Sequence, residues 1–327
     1  MLKRALSAVC ALSLASMPAF ALAGCSNSDS SDASSDAAET TKIVIGTLAT
    51  EDILPMWVAE ENDYFAEYSL EADIEVFQSA TELIAAVTAG DVDIAMTDPM
   101  VTASIYASGT DVEIEWVTLG TDASQGRFGI MTSDSSITSL TDLAGVPIGV
   151  GSNTILEYVM DTLMSEAGVP DDKIVTEEIQ KLPVRYQEMV SGEVKAAALP
   201  ASLLALGEAQ GCTLIADDTA GDNISQSVMI ARSDFAADNA EAIEAAKGAW
   251  NKAVDVINAD PEGVRPLLVE KANLSDEVAE TYPVCTYPQA QLPTQEQIDN
   301  VLTWMVKKDY LDSAITYDAA TGTFSGR

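Results

Sequence analysis

Short apolar runs alternate with longer mixed runs along most of this chain. Lys42–Thr47 reads as a buried strand, Leu54–Phe65 as a helix and Ala72–Val76 as a strand. Ala80–Ala89 reads as a helix stopped by Gly90, Asp93–Met96 as a strand, and Met100–Ser108 as a helix before Gly109. Glu113–Leu119 alternates apolar and polar positions, the period of a half-exposed strand. From Phe128 to Asp217 the same rhythm returns. Strands are predicted near Phe128–Met131, Val146–Val150, Ile174–Glu178, Ala196–Leu199 and Thr213–Ala216. Helices are predicted near Asn153–Ala167, Val184–Ser191 and Ala201–Gln210. Ser227–Ala231 is then a strand, Ala240–Asn258 a long helix, Pro261 the restart of a helix, and Thr294–Lys308 another helix. Strands alternating with helices predict an α/β fold with mostly parallel sheets.

The rhythm is a repeat. Ala89-Gly90-Asp91-Val92-Asp93-Ile94-Ala95-Met96-Thr97-Asp98-Pro99 returns about a hundred residues later as Ser191-Gly192-Glu193-Val194-Lys195-Ala196-Ala197-Ala198-Leu199-Pro200. Each copy reads as a helix end, a glycine stop, a short buried strand and a turn at proline. Each follows a glycine-containing strand end, Ile45-Gly46-Thr47 or Ile148-Gly149-Val150, by about forty residues. Two βαβαβ units facing each other make a cleft, a natural place for a small molecule. Two polar stretches, Gly120–Gly126 and Ala220–Asn223, suit crossovers between the units. The expected architecture is therefore bilobed. Residues 42–125 form the first part of lobe 1, 126–220 form lobe 2, and 221–327 return to lobe 1 with the C-terminal helices. A double crossover permits hinge closure.

The start of the chain changes the picture. Lys3 and Arg4 precede an apolar run, Ala5–Ala23, which is softened by serines and Pro18. That is the layout of a signal peptide over residues 1–24. An uncleaved membrane helix is the alternative, and the small residues and Pro18 argue against it. The run ends in Leu22-Ala23-Gly24-Cys25, which resembles a bacterial lipobox with Cys25 as the lipidated residue. Two palmitate-like acyl chains anchor a protein stably where one is marginal. Residues 25–41, rich in Ser, Asp and Ala, cannot bury a core and read as a flexible acidic tether. The expected location is the extracytoplasmic face of the cell membrane. Cys212 and Cys285 would then fall in different lobes and are expected as separate thiols.

Charge and composition narrow the function. The formal net charge is −36, and Lys3 and Arg4 would leave with the signal peptide. Nucleic acid is therefore excluded as a partner. There is no histidine, which removes His-based triads and His-ligated zinc. No D-x-D-x-D-G loop is present, and no metal, cofactor or catalytic residue is expected.

Three sets of residues carry a resemblance. Pro55-Met56-Trp57-Val58-Ala59 with Tyr64-Phe65 is similar to a "P-x-aromatic-V-A … G-Y-F" first helix. Phe77-Gln78-Ser79-Ala80 with Ala89-Gly90-Asp91-Val92-Asp93 is similar to a "helix-A-G-x-V-D" stretch. Leu140-Thr141-Asp142-Leu143-Ala144-Gly145 with Ile148-Gly149-Val150 is similar to "L-x-D-L-x-G-x-x-I-G-V". Together they resemble the substrate-binding lipoproteins of ABC importers, in the branch of nitrate, sulfonate, taurine and pyrimidine-precursor binders. Asn62-Asp63 departs from the pattern where a glycine usually precedes Tyr-Phe. The resemblance implies a type II periplasmic-binding fold, a monomer that delivers one small solute to an ABC permease and its ATPase. A sensor domain serving a receptor partner shares that fold. So does an enzyme like the pyrimidine-precursor synthases, but their chemistry leans on histidine.

Ligands of parallel sheets meet the carboxyl ends of strands and the helix N-termini that follow. That rule selects Thr50 and Glu51, with Asp52 near, then Ser79 and Thr81, then Thr97 and Asp98. In the second unit it selects Ser152, Asn153 and Thr154, then Arg185, then Pro200, with Arg127 from the crossover. Ser79, Ser152 and Asn153 can be helix caps, ligand contacts or both. Trp57 falls on an apolar helix face and is expected in the core. From Ile43 to Gly126 there is no lysine or arginine, while Glu51, Asp52 and Asp98 sit in the loops. The only nearby cations would be Arg127 and Arg185. A neutral, zwitterionic or cationic solute is therefore expected, rather than a bare inorganic oxyanion.

Overall fold

The computed structural model describes residues 40–220, 223–272, 274–312 and 314–327. The leader, Cys25 and nearly all of the tether lie outside these residues, as do two residues of the second crossover.

The first unit opens with β1 (Thr41–Leu48), a 3-10 turn (Glu51–Ile53), α1 (Leu54–Glu61), α2 (Tyr64–Glu67) and β2 (Leu70–Phe77). It continues with α3 (Ala80–Ala89), β3 (Ile94–Thr97), α4 (Pro99–Ala107) and β4 (Val112–Leu119). The run predicted as one helix from Leu54 to Phe65 is split, because Asp63 takes a left-handed φ of 56°. A helix cannot pass through that conformation. The second unit holds β5 (Phe128–Thr132), β6 (Pro147–Val150), α5 (Ile155–Glu166), β7 (Val175–Glu178), α6 (Leu182–Ser191), β8 (Ala196–Pro200), α7 (Ala201–Ala209) and β9 (Thr213–Asp217). The chain ends with β10 (Ser227–Arg232), α8 (Ser233–Asp238), α9 (Ala240–Ala259), α10 (Pro261–Lys271), α11 (Gln295–Lys307), β11 (Thr316–Asp318) and β12 (Thr323–Ser325).

Two sheets result. The first runs β11-β12-β4-β10-β3-β1-β2 and the second β7-β6-β8-β5-β9. The repeat seen in the sequence is thus a repeat of topology, since β2-β1-β3 and β7-β6-β8 have the same order. Both copies are parallel. In both, the preceding helix stops at a left-handed glycine, Gly90 after α3 and Gly192 after α6. The strand next to each repeat is antiparallel: β10 against β3, and β5 against β8. Each of these strands enters after a crossover, so the sheets are mixed rather than parallel throughout.

The crossovers run side by side. Gln226 Nε2 donates to Gly120 O at 3.1 Å, and Asn223 Nδ2 donates to the same carbonyl. Gly120 has φ +93°, and a Cβ there would lie 2.2 Å from Ser225 O. No other residue fits that contact. At the far end Phe128 N donates to Asp218 Oδ1 at 2.8 Å.

The first sheet is covered on both faces. α1, α9 and α10 bury Trp57, Trp116 and Trp250 on one face, and Trp57 is core as expected. The rings of Trp116 and Trp250 lie 5.8 Å apart, and Trp250 Nε1 donates to Pro288 O at 3.0 Å. A buried indole is stable only with its N–H satisfied. α3, α4 and α11 cover the other face. Cys212 and Cys285 are both free thiols.

Candidate functional site

The carboxyl ends of β1, β2 and β3 face those of β6, β7 and β8 across a cavity of about 70 Å³. The first sheet contributes Leu48, Thr50, Asp52, Ser79, Leu83, Met96, Thr97, Asp98 and Ser227 to its wall. The second contributes Phe128, Thr154, Ile155, Leu156, Gln180, Leu182, Arg185 and Pro200.

Of the residues picked from the sequence, Thr50, Ser79, Thr97, Asp98, Thr154, Arg185 and Pro200 lie on this wall. Ser79 caps α3, accepting from Glu82 N at 3.3 Å. Asp98 caps α4 through Oδ1, which accepts from Val101 N at 2.8 Å. Its Oδ2 accepts from Ile155 N at 3.0 Å, so one carboxylate bridges α4 and α5 across the cleft. Burial pushes Asp98 up to about 6, against the pull of the N–H groups of Val101, Ile155 and Met100. Thr154 Oγ1 donates to Gly151 O at 2.7 Å.

Five picks lie off the wall. Glu51 is buried behind it, next to Tyr282, and its backbone oxygen accepts from Tyr287 Oη at 2.7 Å. Burial, then the charge of Asp52, push Glu51 up to about 7. Thr81 is exposed, because a helix turns by about 100° per residue and the cavity-facing positions are Ala80 and Leu83. Arg127 faces away and is consumed by acids: Nε donates to Asp217 at 2.8 Å, and both Nη atoms reach Glu208 at 3.1 and 3.2 Å. Ser152 turns its hydroxyl and backbone N–H to Glu178. Asn153, at φ 58°, donates through Nδ2 to Ser104 Oγ at 2.6 Å and through its N–H to Glu157 at 2.6 Å.

Arg185 is the principal feature. It is 2% exposed. Nε donates to Ile179 O at 2.8 Å, Nη1 to Ala198 O at 3.0 Å and Nη2 to Gln180 O at 3.3 Å. None of the described ion pairs includes it. A Cβ on Gly151 would sit 2.8 Å from Nη2, so the glycine makes room for the fork. Burial pulls the guanidinium down to about 10, with Glu178 opposing, and it stays charged at neutral pH.

Ser227, Phe128 and Gln180 are among the wall residues that escaped the strand-end rule. Ser227 and Phe128 begin the antiparallel strands β10 and β5. Their register sets Ser227 opposite Leu119 and Phe128 opposite Pro200. An antiparallel strand starts where its neighbours end, so its first residue meets the cleft. Gln180 follows β7 as Gln78 follows β2, and the repeat held that signal. Asp52 also faces the cavity, with Oδ1 accepting from Ser227 Oγ.

Two α/β units, two crossovers and a cavity where the strand ends meet define a periplasmic-binding fold. The chain belongs to the NMT1/THI5-like family, whose model matches residues 50–264. The solved structures agree on the fold. The alkanesulfonate-binding protein SsuA of Xanthomonas axonopodis pv. citri, bound to MOPS, is 16% identical, with TM-score 0.72 over 85% of this chain and 96% of that one. The periplasmic aliphatic sulphonate-binding protein SsuA of Escherichia coli is 15% identical, with TM-score 0.70 over 88% and 92%. The periplasmic nitrate-binding protein NrtA of Synechocystis PCC 6803 is 12% identical, with TM-score 0.68 over 84% and 83%. Comparison with curated proteins gives no match. Among the described residues, no helix is long and apolar enough to cross a membrane.

Proposed function

We propose that this protein is an extracytoplasmic solute receptor. It captures one small polar organic molecule between two lobes and delivers it to an ABC permease and its ATPase, acting as a monomer without chemistry of its own. The carrying observation is the cavity, whose wall is shared between the strand ends of both sheets. The lobes divide at 125/126 and 220/221, where the two crossovers run. Closure needs only that the solute bind the closed state better than the open one. The family and the binding-protein neighbours support this reading over an enzyme. In the same reading, residues 1–24 are removed, Cys25 carries the acyl chains, and residues 25–41 tether the receptor to the outer face of the membrane.

The acids Asp52 and Asp98 on the wall support a neutral, zwitterionic or cationic solute over a bare inorganic oxyanion. A thermal-shift screen of amines, amino acids, pyrimidines and sulfonates tests the receptor reading. A true solute at a hundred times its Kd stabilises by about 2.7 kcal/mol. Turnover of a solute, or no shift with any class, counts against it. Tight calorimetric binding of nitrate or sulfate counts against the solute class. Acyl labelling that is lost in Cys25→Ser checks the anchor.

A further inference from the structure

We infer that the cavity selects a compact zwitterion, its acid group held by the Arg185 guanidinium and its ammonium by the Asp52 carboxylate. The inference rests on the receptor reading above and narrows its solute.

The first half of the argument is donor accounting. A guanidinium offers five N–H donors in a fixed fork. Three of those of Arg185 are spent on the carbonyls of Ile179, Ala198 and Gln180. Two remain, on a side chain that is 2% exposed and lines the cavity. A buried charge without a paired counter-ion is costly, and Arg185 forms no ion pair with a described residue, Glu178 acting on it only from beyond ion-pair distance. The three carbonyl contacts fix the fork beforehand, so an incoming acid group need not order it.

The second half concerns the acids opposite. Asp98 has both oxygens committed, Oδ1 to Val101 N and Oδ2 to Ile155 N. Asp52 is 5% exposed, accepts from Ser227 Oγ, and pairs with no lysine or arginine among the described residues. It is the carboxylate left to receive a cation. A singly charged anion would satisfy Arg185 but bring its charge against Asp52 and Asp98. A bare cation would satisfy Asp52 and leave Arg185 uncompensated. A neutral solute would leave both. Only a molecule with both charges neutralises both walls.

Size adds a limit. A cavity of about 150 Å³ holds a benzene ring. This one is about 70 Å³, with Leu48, Leu83 and Met96 on its wall. A short methylene spacer between the two charged ends fits that space and lining.

The test is calorimetry on the purified receptor with matched probes. These are β-alanine and aminomethanesulfonate as zwitterions, propionate and methanesulfonate as acids, and propylamine as an amine. At least one zwitterion is expected to bind 100-fold or more tighter than its singly charged analogues. Arg185→Gln should weaken that zwitterion at least 100-fold. Asp52→Asn should weaken it too, yet tighten the acid-only probe relative to the unmodified protein, because a repelling charge is gone. If Arg185→Gln fails to fold, the Asp52→Asn reversal decides. Acids or the amine that bind as tightly as the zwitterions overturn the inference but leave the receptor standing. If no probe of any class binds, the inference fails, and the wider thermal-shift screen alone decides the receptor reading.

Discussion

Two clusters of buried charge lie along α5, and they differ in one respect. In the first two turns of α5, Glu157 and Asp161 are buried and meet Lys308, whose Nζ lies 2.9 Å from each. Tyr310 Oη donates to Glu157 at 2.8 Å and Trp304 Nε1 to Asp161 at 3.0 Å. Burial alone would lower the Lys308 amine, but its bonds to Glu157 and Asp161 outweigh that and raise it. This cluster finds its cation inside the chain, one ammonium shared by two carboxylates, and ties α5 to the end of α11. At the α5 N-terminus, in the cavity wall, Arg185, Asp52 and Asp98 form no ion pair with any described residue. Burial of charge by itself therefore says little about function. Whether the charge finds its partner inside the chain separates a structural joint from a site that awaits a ligand.

The largest expected effect breaks the joint. Lys308→Met leaves Glu157 and Asp161 buried without a cation. We expect a loss of about 3 kcal/mol in urea unfolding, the low end for a broken buried pair because Lys308 stays partly in water. Arg185→Gln breaks no ion pair and relieves an unpaired buried charge, which offsets part of the loss of its bonds to the carbonyls of Ile179, Ala198 and Gln180, and should cost less. Equal losses would erase the distinction between the two clusters.

The second effect is pH-dependent. Glu51 is raised from 4.5 to about 7, first by burial and then by Asp52. Between those values the folded chain holds a proton that the unfolded chain has released. Stability therefore falls as pH rises through that window. Asp98 and Asp218, each raised from 3.8 to about 6 mainly by burial, act in the same direction from about pH 4 to 6. Groups held below their usual range, such as Asp142, lose their contribution only at lower pH. Urea unfolding should give a protein more stable at pH 5 than at pH 7.5, with about 2 kcal/mol of the difference due to Glu51 and removed by Glu51→Gln. A flat profile, or one that rises with pH, would show that Glu51 is ionised and solvated.

Much of this fold was legible because the repeat constrains it. Ala80–Ala89 is the helix the pattern predicts, stopped at Gly90. The shared strand order follows from two copies of one layout. The hairpin β11–β12 was not legible, since three-residue strands have no period to detect. The cleft was legible at several parallel strand ends, as at Thr50, Ser79 and Thr154, though Gln180 after β7 was missed. It was not legible at Phe128 and Ser227, because the direction of a strand after a crossover is set by the opposite sheet. Nor could the sequence tell Arg127 from Arg185. Both stood on the second-unit side of the cleft in the linear reading, and only the partners distinguish them.

That last pair gives the smallest and sharpest prediction. Arg127 and Arg185 are the same side chain in two settings. The Arg127 side chain is 28% exposed, facing Glu208 at 42% and Asp217 at 16%. An ion pair so placed is screened by water and is worth at most about 1 kcal/mol. Its charge is also matched by those two acids, and it does not line the cavity, so it offers nothing to a solute. Arg127→Ala should therefore lower stability by under about 1 kcal/mol and leave solute affinity within roughly two-fold. Calorimetry beside Arg185→Gln, with the same solute, measures the difference. If Arg127→Ala weakens the solute as much as Arg185→Gln does, then affinity follows the total positive charge of the second unit. The particular donors that Arg185 holds free would then not matter.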